Sequence, residues 1–172
     1  MTRNYFDIFI TFVSMEGKEF THIDQQGNPT MVDISDKQIT QRVAVAQSIV
    51  SVNQNILAQL KNDEILTKKG PVFHTSIIAG VMAAKKTSEL IPFCHPLSID
   101  NCKIDILVEG EDIQINCTVS VTGKTGVEME ALTGASIAAL TVYDMCKALS
   151  HDIRIKETKL MKKTGGKSDF SR

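Results

Sequence analysis

The chain has 172 residues, 42% of them hydrophobic, which is enough for one compact domain with a real core. Aromatics make up only 5% and Trp is absent, so Val, Ile, Leu and Ala fill that core. A net charge of −1 argues against a protein that coats nucleic acid, which would carry a basic excess, while leaving room for a local basic pocket.

The four cysteines, Cys94, Cys102, Cys117 and Cys146, form no C-x-x-C pair. Cys102 and Cys117 sit among alternating apolar residues and read as small buried side chains. This points to a reducing cytoplasm rather than a disulfide framework. No run of about 18 apolar residues occurs, so no spanning helix is expected.

In chain order, residues 1–19 read as a poorly ordered extension ahead of a single domain over 20–172. Arg3 and the apolar Ile8–Val13 run suggest a signal peptide, but Asp7 interrupts the stretch and no small-residue cleavage site follows. Translation from Met15 is another reading. The "MVDISDK" segment (31–37) reads as a strand end crowded by Asp33, Asp36 and Lys37. "RVAVAQSIVSV" (42–52) is rich in β-branched residues and predicts a strand, with irregular pairing near Gln47 where the alternation slips. "NQNILAQLKN" predicts a short helix with Asn53 as its N-cap. "TKKGP" (67–71) reads as a loop, and 72–86 as a helix in which Gly80 is tolerated if another element packs closely on it.

"SELIPFCHPLS" holds two prolines four apart and is not regular helix. Cys102, Ile104, Ile106 and Val108 alternate with polar residues, "EGED" turns the chain, and Ile113, Ile115, Cys117, Val119 and Val121 alternate again. This is a hairpin with one buried face. Residues 126–149 predict a long helix with a ridge of Leu132, Ser136, Leu140, Tyr143 and Lys147, rich in small residues that invite close packing. A final strand over 153–161 precedes a basic, mobile-looking tail, "KKTGGKSDFSR". Strands and helices in this order give an α+β layer structure.

Three motifs carry chemistry. "VTGKTG" (121–126) lacks the glycine four residues before its GK pair, so it is no Walker A loop, although a glycine loop opening a helix offers free N–H groups to an anion. "FCHP" (93–96) reads either as a turn with a hydrogen-bonded His95 or as a proline-fixed loop that presents His95 to a ligand. No second pair at zinc-finger spacing accompanies it. "YDMCKA" places Asp144 and Lys147 at i and i+3 on one helix face. That is either a weak surface ion pair or, on a small and apolar helix, a pair tuned for proton transfer. Lys68, Lys69, Lys124, Lys147, Lys162, Lys163 and Lys167 lie in or beside glycine-containing or motif segments, which favours polyphosphate contacts.

Taken together, "THID…MVDISDK", "KKG", "IAGVMAAKKTSELIPFCHPL", "TGKTGVEMEALT", "YDMCKA" and "GGKS" closely resemble the molybdenum cofactor biosynthesis protein C family, the cyclic pyranopterin monophosphate synthases. The resemblance runs in order from about Thr21 to Phe170. It implies a ferredoxin-like α+β subunit with helices on one face of an antiparallel sheet, assembled as a homohexamer of three dimers with the site at the dimer interface. It implies a lyase that takes 3′,8-cyclo-7,8-dihydro-GTP from an upstream radical enzyme and releases cyclic pyranopterin monophosphate and diphosphate. By the same resemblance Asp144, Lys147 and Lys69 are catalytic, and Phe93, Cys94, His95, Met129 and Glu130 bind substrate. Arg42, Lys163 and Lys167 would lie near the triphosphate. Beside such a site, the charges of the "MVDISDK" strand end are read as Asp33 and Lys37 orienting Arg42 and its neighbours. No cofactor or bound metal is implied. Mg²⁺ on the diphosphate is compatible with the chemistry, though no ligand cluster demands it. Three departures stand out: Pro71 where the family usually has Asp, His74 and Ile77 for the usual Ala and Arg, and no glycine before "DF" in the tail.

A different reading, a non-catalytic nucleotide- or RNA-binding module, is disfavoured because the strands at 102–108 and 113–121 carry no aromatic platform. A purely structural role leaves the clustered Lys and Asp unexplained. One geometric tension remains. Glu130 and Asp144 stand 14 residues apart, about 21 Å along a helix at about 1.5 Å per residue. Either the helix begins after Glu130, or the two residues serve one site from two chains.

Overall fold

The computed structural model describes residues 26–172. The expected extension over 1–19 and the boundary after it lie outside the described residues. Residues 33–172 form one compact unit, and the described part of the preceding unit, 26–32, is a turn and open chain.

The unit is built on strand β1 (Thr40–Ser51), where Ala44, Ala46, Ser48 and Val50 are buried at every second position. Helix α1 (Gln54–Leu57) is shorter than expected. Asn53 caps it by accepting from the Ile56 N–H. The chain then enters a small sheet instead of a plain loop: β2 (Leu60–Lys61), β3 (Glu64–Thr67) and β4 (Gly70–Pro71). Asn62 and Asp63 turn it with positive φ angles of 50° and 59°, a conformation Asn and Asp tolerate.

Helix α2 (Val72–Ala84) and the short α3 (Thr87–Leu90) follow. The expected hairpin is β5 (Asn101–Glu109) and β6 (Asp112–Gly123), joined at Gly110. Helix α4 spans Glu128–Cys146, and β7 (Arg154–Thr164) is longer than its prediction. The basic tail is ordered: β8 (Phe170–Ser171) folds back on β7, and Arg172 lies over the Phe170 ring.

The five-stranded sheet is antiparallel throughout, in the order β5-β6-β1-β7-β8. With α2 after β1 and α4 after β6, this is the βαββαβ order of an α+β, ferredoxin-like fold. The buried face of β1 is in register with Ile113, Ile115, Cys117 and Val119 of β6. Ala131, Ala135, Ala138, Ala139 and Val142 of α4 belong to the same core. Each fully buried Ile or Val in that core contributes about 1.5–3 kcal/mol of transfer free energy. The irregular pairing expected in β1 lies in β7. The β1 register with β6 is unbroken, whereas it skips Met161 and Lys156 on the β7 side.

The ridge expected on α4 is corrected. The buried face is Ala131, Gly134, Ala135, Ala138, Val142 and Met145, while Leu140 is 52% exposed and Lys147 is outside the core. Close helix packing selects the small side chains for the inside. At Gly80 of α2 a Cβ would sit 2.7 Å from the Gly134 carbonyl oxygen, so α2 and α4 cross where both lack side chains.

Candidate active site

Lys69 occupies the two-residue turn between β3 and β4, where Thr67 pairs with Gly70. The Lys69 N–H donates to Thr67 Oγ1, and Gly70 takes φ +112°. From that turn the Lys69 ammonium reaches the last turn of α4. It donates to Asp144 Oδ2 at 2.7 Å and to the Asp144 carbonyl at 2.9 Å. Lys147, at the C-cap of the same helix, reaches Asp144 Oδ1 at 2.8 Å. One carboxylate therefore bridges two cations, and one of these comes from 75 residues away in sequence.

All three groups are open to solvent. The hydrogen bond from Lys147, then that from Lys69, holds the Asp144 carboxyl down to about 2, so it stays ionised. Its hydrogen bond in turn pushes Lys147 above the usual lysine range, keeping that ammonium protonated. A protonated lysine beside a fixed carboxylate can donate a proton or neutralise a phosphate. The sequence-expected trio of Asp144, Lys147 and Lys69 is thus brought together.

The other expected residues lie towards the opposite end of α4. Arg42 of β1 donates from Nε to the Gly123 carbonyl and, with Gly126, Val127, Glu128, Lys163, Thr164 and Gly166, lines a small pocket. Lys163 Nζ lies 3.3 Å from Glu128 Oε1, and a Cβ on Gly166 would lie 3.3 Å from the Arg42 guanidinium. Lys167 is exposed in the loop between β7 and β8. Glu128 is a residue that sequence reasoning missed. Its signal was a second glutamate two positions before Glu130 in the first turn of a helix, where carboxylates favour the positive dipole end.

Met129 is partly exposed at the start of α4, whereas Glu130 is only 4% exposed. Burial pushes the Glu130 carboxyl up, and Glu128 adds to this. Cys94 is close enough to feel that charge. Burial first, then Glu130, pushes its thiol up, the opposite of the shift that activates a thiol. Phe93 is 40% exposed, and His95 is half-buried in the same irregular segment.

The expected strand end at 31–37 is a turn from Asp33 on. Asp33 accepts from the Ser35 N–H at 2.8 Å and from its hydroxyl at 2.6 Å. Those bonds, with Lys124 and His95 nearby, hold the Asp33 carboxyl below the usual range. Lys124 in turn donates to the Ser35 carbonyl at 2.6 Å. Asp33 thus shapes a turn against the glycine loop, while the Arg42 hydrogen bond goes to Gly123.

Among the described residues no three of His, Cys, Asp and Glu gather as a metal-holding group, and no helix is long and apolar enough to cross a membrane. Glu130 and Asp144 lie in one unbroken helix, Glu128–Cys146, so the alternative in which the helix begins after Glu130 falls.

These observations define a ferredoxin-like α+β protein with an aspartate bridging two lysines at one end of its long helix and a basic, glycine-lined pocket towards the other. The MoaC family model matches residues 31–166. A "Cyclic pyranopterin monophosphate synthase" of Xanthomonas campestris pv. campestris (strain B100) is 58% identical over 151 residues, covering 87% of this chain and 92% of that protein. A protein of the same name from Staphylococcus carnosus (strain TM300) is 54% identical over 160 residues, covering 90% of this chain and 97% of its own length. "Molybdenum cofactor biosynthesis protein 1" of Dictyostelium discoideum is 58% identical over 172 residues, covering 90% of this chain but only 27% of that longer protein. The chain belongs to the MoaC family.

Proposed function

We propose that the chain is a cyclic pyranopterin monophosphate synthase, a lyase of molybdenum cofactor biosynthesis. It converts 3′,8-cyclo-7,8-dihydro-GTP, delivered by an upstream radical enzyme, to cyclic pyranopterin monophosphate and diphosphate. The observation that carries this reading is Asp144 held between Lys69 and Lys147. Opening the purine's five-membered ring and closing the pterin ring need proton transfers, and expelling diphosphate needs its charge neutralised. A protonated Lys147 beside an ionised Asp144 is suited to the first task. Arg42, Lys163 and Lys167 are suited to the second, with Phe93, Cys94, His95, Met129 and Glu130 holding the substrate. The reaction calls for no redox cofactor, and Mg²⁺ accompanying the diphosphate is compatible with it.

The site is shared between two copies of the chain in a homohexamer of three dimers. Two observations support this. Glu130 and Asp144 sit about 21 Å apart in a single helix, too far to meet one reacting centre. Apolar side chains also stay exposed on the helical layer: Ile78 and Met82 one turn apart on α2, and Leu140 on α4, at 60%, 55% and 52%. The enzyme works in the cytoplasm.

A nucleic-acid-binding sheet has less support. The Gln47 amide of β1 donates to the side chains of Gln114 and Asn116 on β6, where an aromatic platform would be needed. The test is to supply the purified protein with the cyclised GTP and measure diphosphate. Release of diphosphate with appearance of the cyclic product is expected. No release, from substrate that the Xanthomonas relative turns over, would overturn the reading.

A further inference from the structure

The turn that carries Lys69 is held by a carboxylate with no role in the chemistry described so far. Helix α2 begins after Pro71, which stands at its N-cap with no side-chain hydrogen bond. The first N–H groups of a helix have no partner within it, and a cap normally satisfies them. Here the partner arrives from outside the helix. Glu64, at the start of β3, accepts the Phe73 N–H at 2.7 Å on Oε1 and the His74 N–H at 3.1 Å on Oε2. Oε1 also accepts the Ile65 N–H at 2.8 Å, and Oε2 lies 2.5 Å from His74 Nδ1. Its side chain is 12% exposed, whereas that of His74 is 77% exposed.

The bonds close a ring of chain from residue 64 to residue 74. Midway round that ring lies the turn of Lys68 and Lys69. The ring's base is buried, with Ile65 and Val72 fully enclosed, while its tip is exposed. Fixing the base fixes the direction of the tip, because the two strands between them are only two to four residues long. From that tip the Lys69 ammonium reaches Asp144.

We propose that Glu64 is a positioning residue for Lys69: it replaces the missing cap of α2, ties β3 to that helix, and thereby aims the Lys69 ammonium at Asp144. His74 is the exposed half of the clamp, donating to Glu64 from Nδ1 and closing it from the solvent side. The functional consequence rests on the synthase reading above. The geometric consequence does not.

The experiment pairs a disruption with a repair. Glu64→Gln keeps one acceptor oxygen and the volume, but cannot accept all four bonds. Pro71→Asp puts a capping side chain at the N-cap, whose ψ of 124° is the extended backbone a capping residue adopts. Two readouts are taken on the wild type, Glu64→Gln, and Glu64→Gln with Pro71→Asp. The first needs no activity: limited acylation of the folded protein, with modification of Lys69 measured against neighbouring Lys68 by peptide mass spectrometry. Glu64→Gln is expected to raise the Lys69-to-Lys68 ratio severalfold, and Pro71→Asp to bring it back. The second is steady-state turnover of the cyclised GTP. A misplacement of about 1 Å costs up to about a hundredfold, so kcat should fall at least about tenfold with KM within about twofold, and recover with Pro71→Asp. An unchanged acylation ratio in Glu64→Gln overturns the proposal, as does a raised ratio that Pro71→Asp does not lower. If the wild type shows no turnover, the synthase reading fails while the acylation result still decides the positioning role.

Discussion

Mixing two inactive variants decides whether one chain can build the site. Glu130→Ala removes a carboxylate from the first turn of α4, and Asp144→Asn removes the charge between the two lysines at its last turn. The two positions are 14 residues apart in one helix, so about 21 Å separates them along its axis. No rotamer change spans that distance. If both residues serve one reaction, the Glu130 end of one copy meets the Asp144 end of another. In a homodimer of each single variant both sites are then broken. In a mixed dimer one site carries both defects and the other carries neither. Random exchange makes half the dimers mixed, so recovery approaches about one quarter of wild-type turnover. The assay is diphosphate release after exchange, with mixed species counted by native mass spectrometry of differently tagged chains and folding checked by circular dichroism. Failure to recover in a sample proven to contain mixed dimers would refute the shared site. Near-normal turnover in either single variant would remove that residue from the mechanism.

Two other expectations concern stability. Glu130 is buried and its carboxyl is pushed up, so its charge opposes folding at neutral pH; the wild type is free of this penalty below the ordinary value of 4.5 and incurs it as pH rises through the raised value. Glu130→Gln should therefore raise the melting temperature at pH 8, with no gain at pH 4. A gain that is the same at both pH values, or none at pH 8, would contradict this. Gly80→Ala sets two effects against each other. Ala gains about 1 kcal/mol of helix propensity, but its Cβ would press on the Gly134 carbonyl at 2.7 Å and on the Ile104 side chain, and such overpacking costs about 1–3 kcal/mol. Because the backbone oxygen cannot move aside cheaply, denaturant unfolding should show a net loss of about 1 kcal/mol; a more stable variant would mean the helices separate easily.

Local pattern determined much of this protein. The 101–123 hairpin was legible because its period-2 alternation matches one buried sheet face, and the Asn53 cap because Asn at that place has a defined hydrogen bond to make. The α+β layering followed from element order alone. Asp144 and Lys147 could be paired from sequence, being three residues apart on one helix. The inner face of α4 could not be read. Its residues are nearly all small or apolar, so size favoured Leu132 and Leu140, whereas close approach at Gly80 and Gly134 reserves the inside for Ala and Gly. The tail looked mobile because its composition is basic and glycine-rich, but its backbone donors and acceptors find partners on β7. Lys69 reaches Asp144, and Glu64 reaches the start of α2, only because the chain folds back on itself. Sequence supplied the charged groups; tertiary structure decided which of them share a hydrogen bond, since that depends on distances the linear order does not contain.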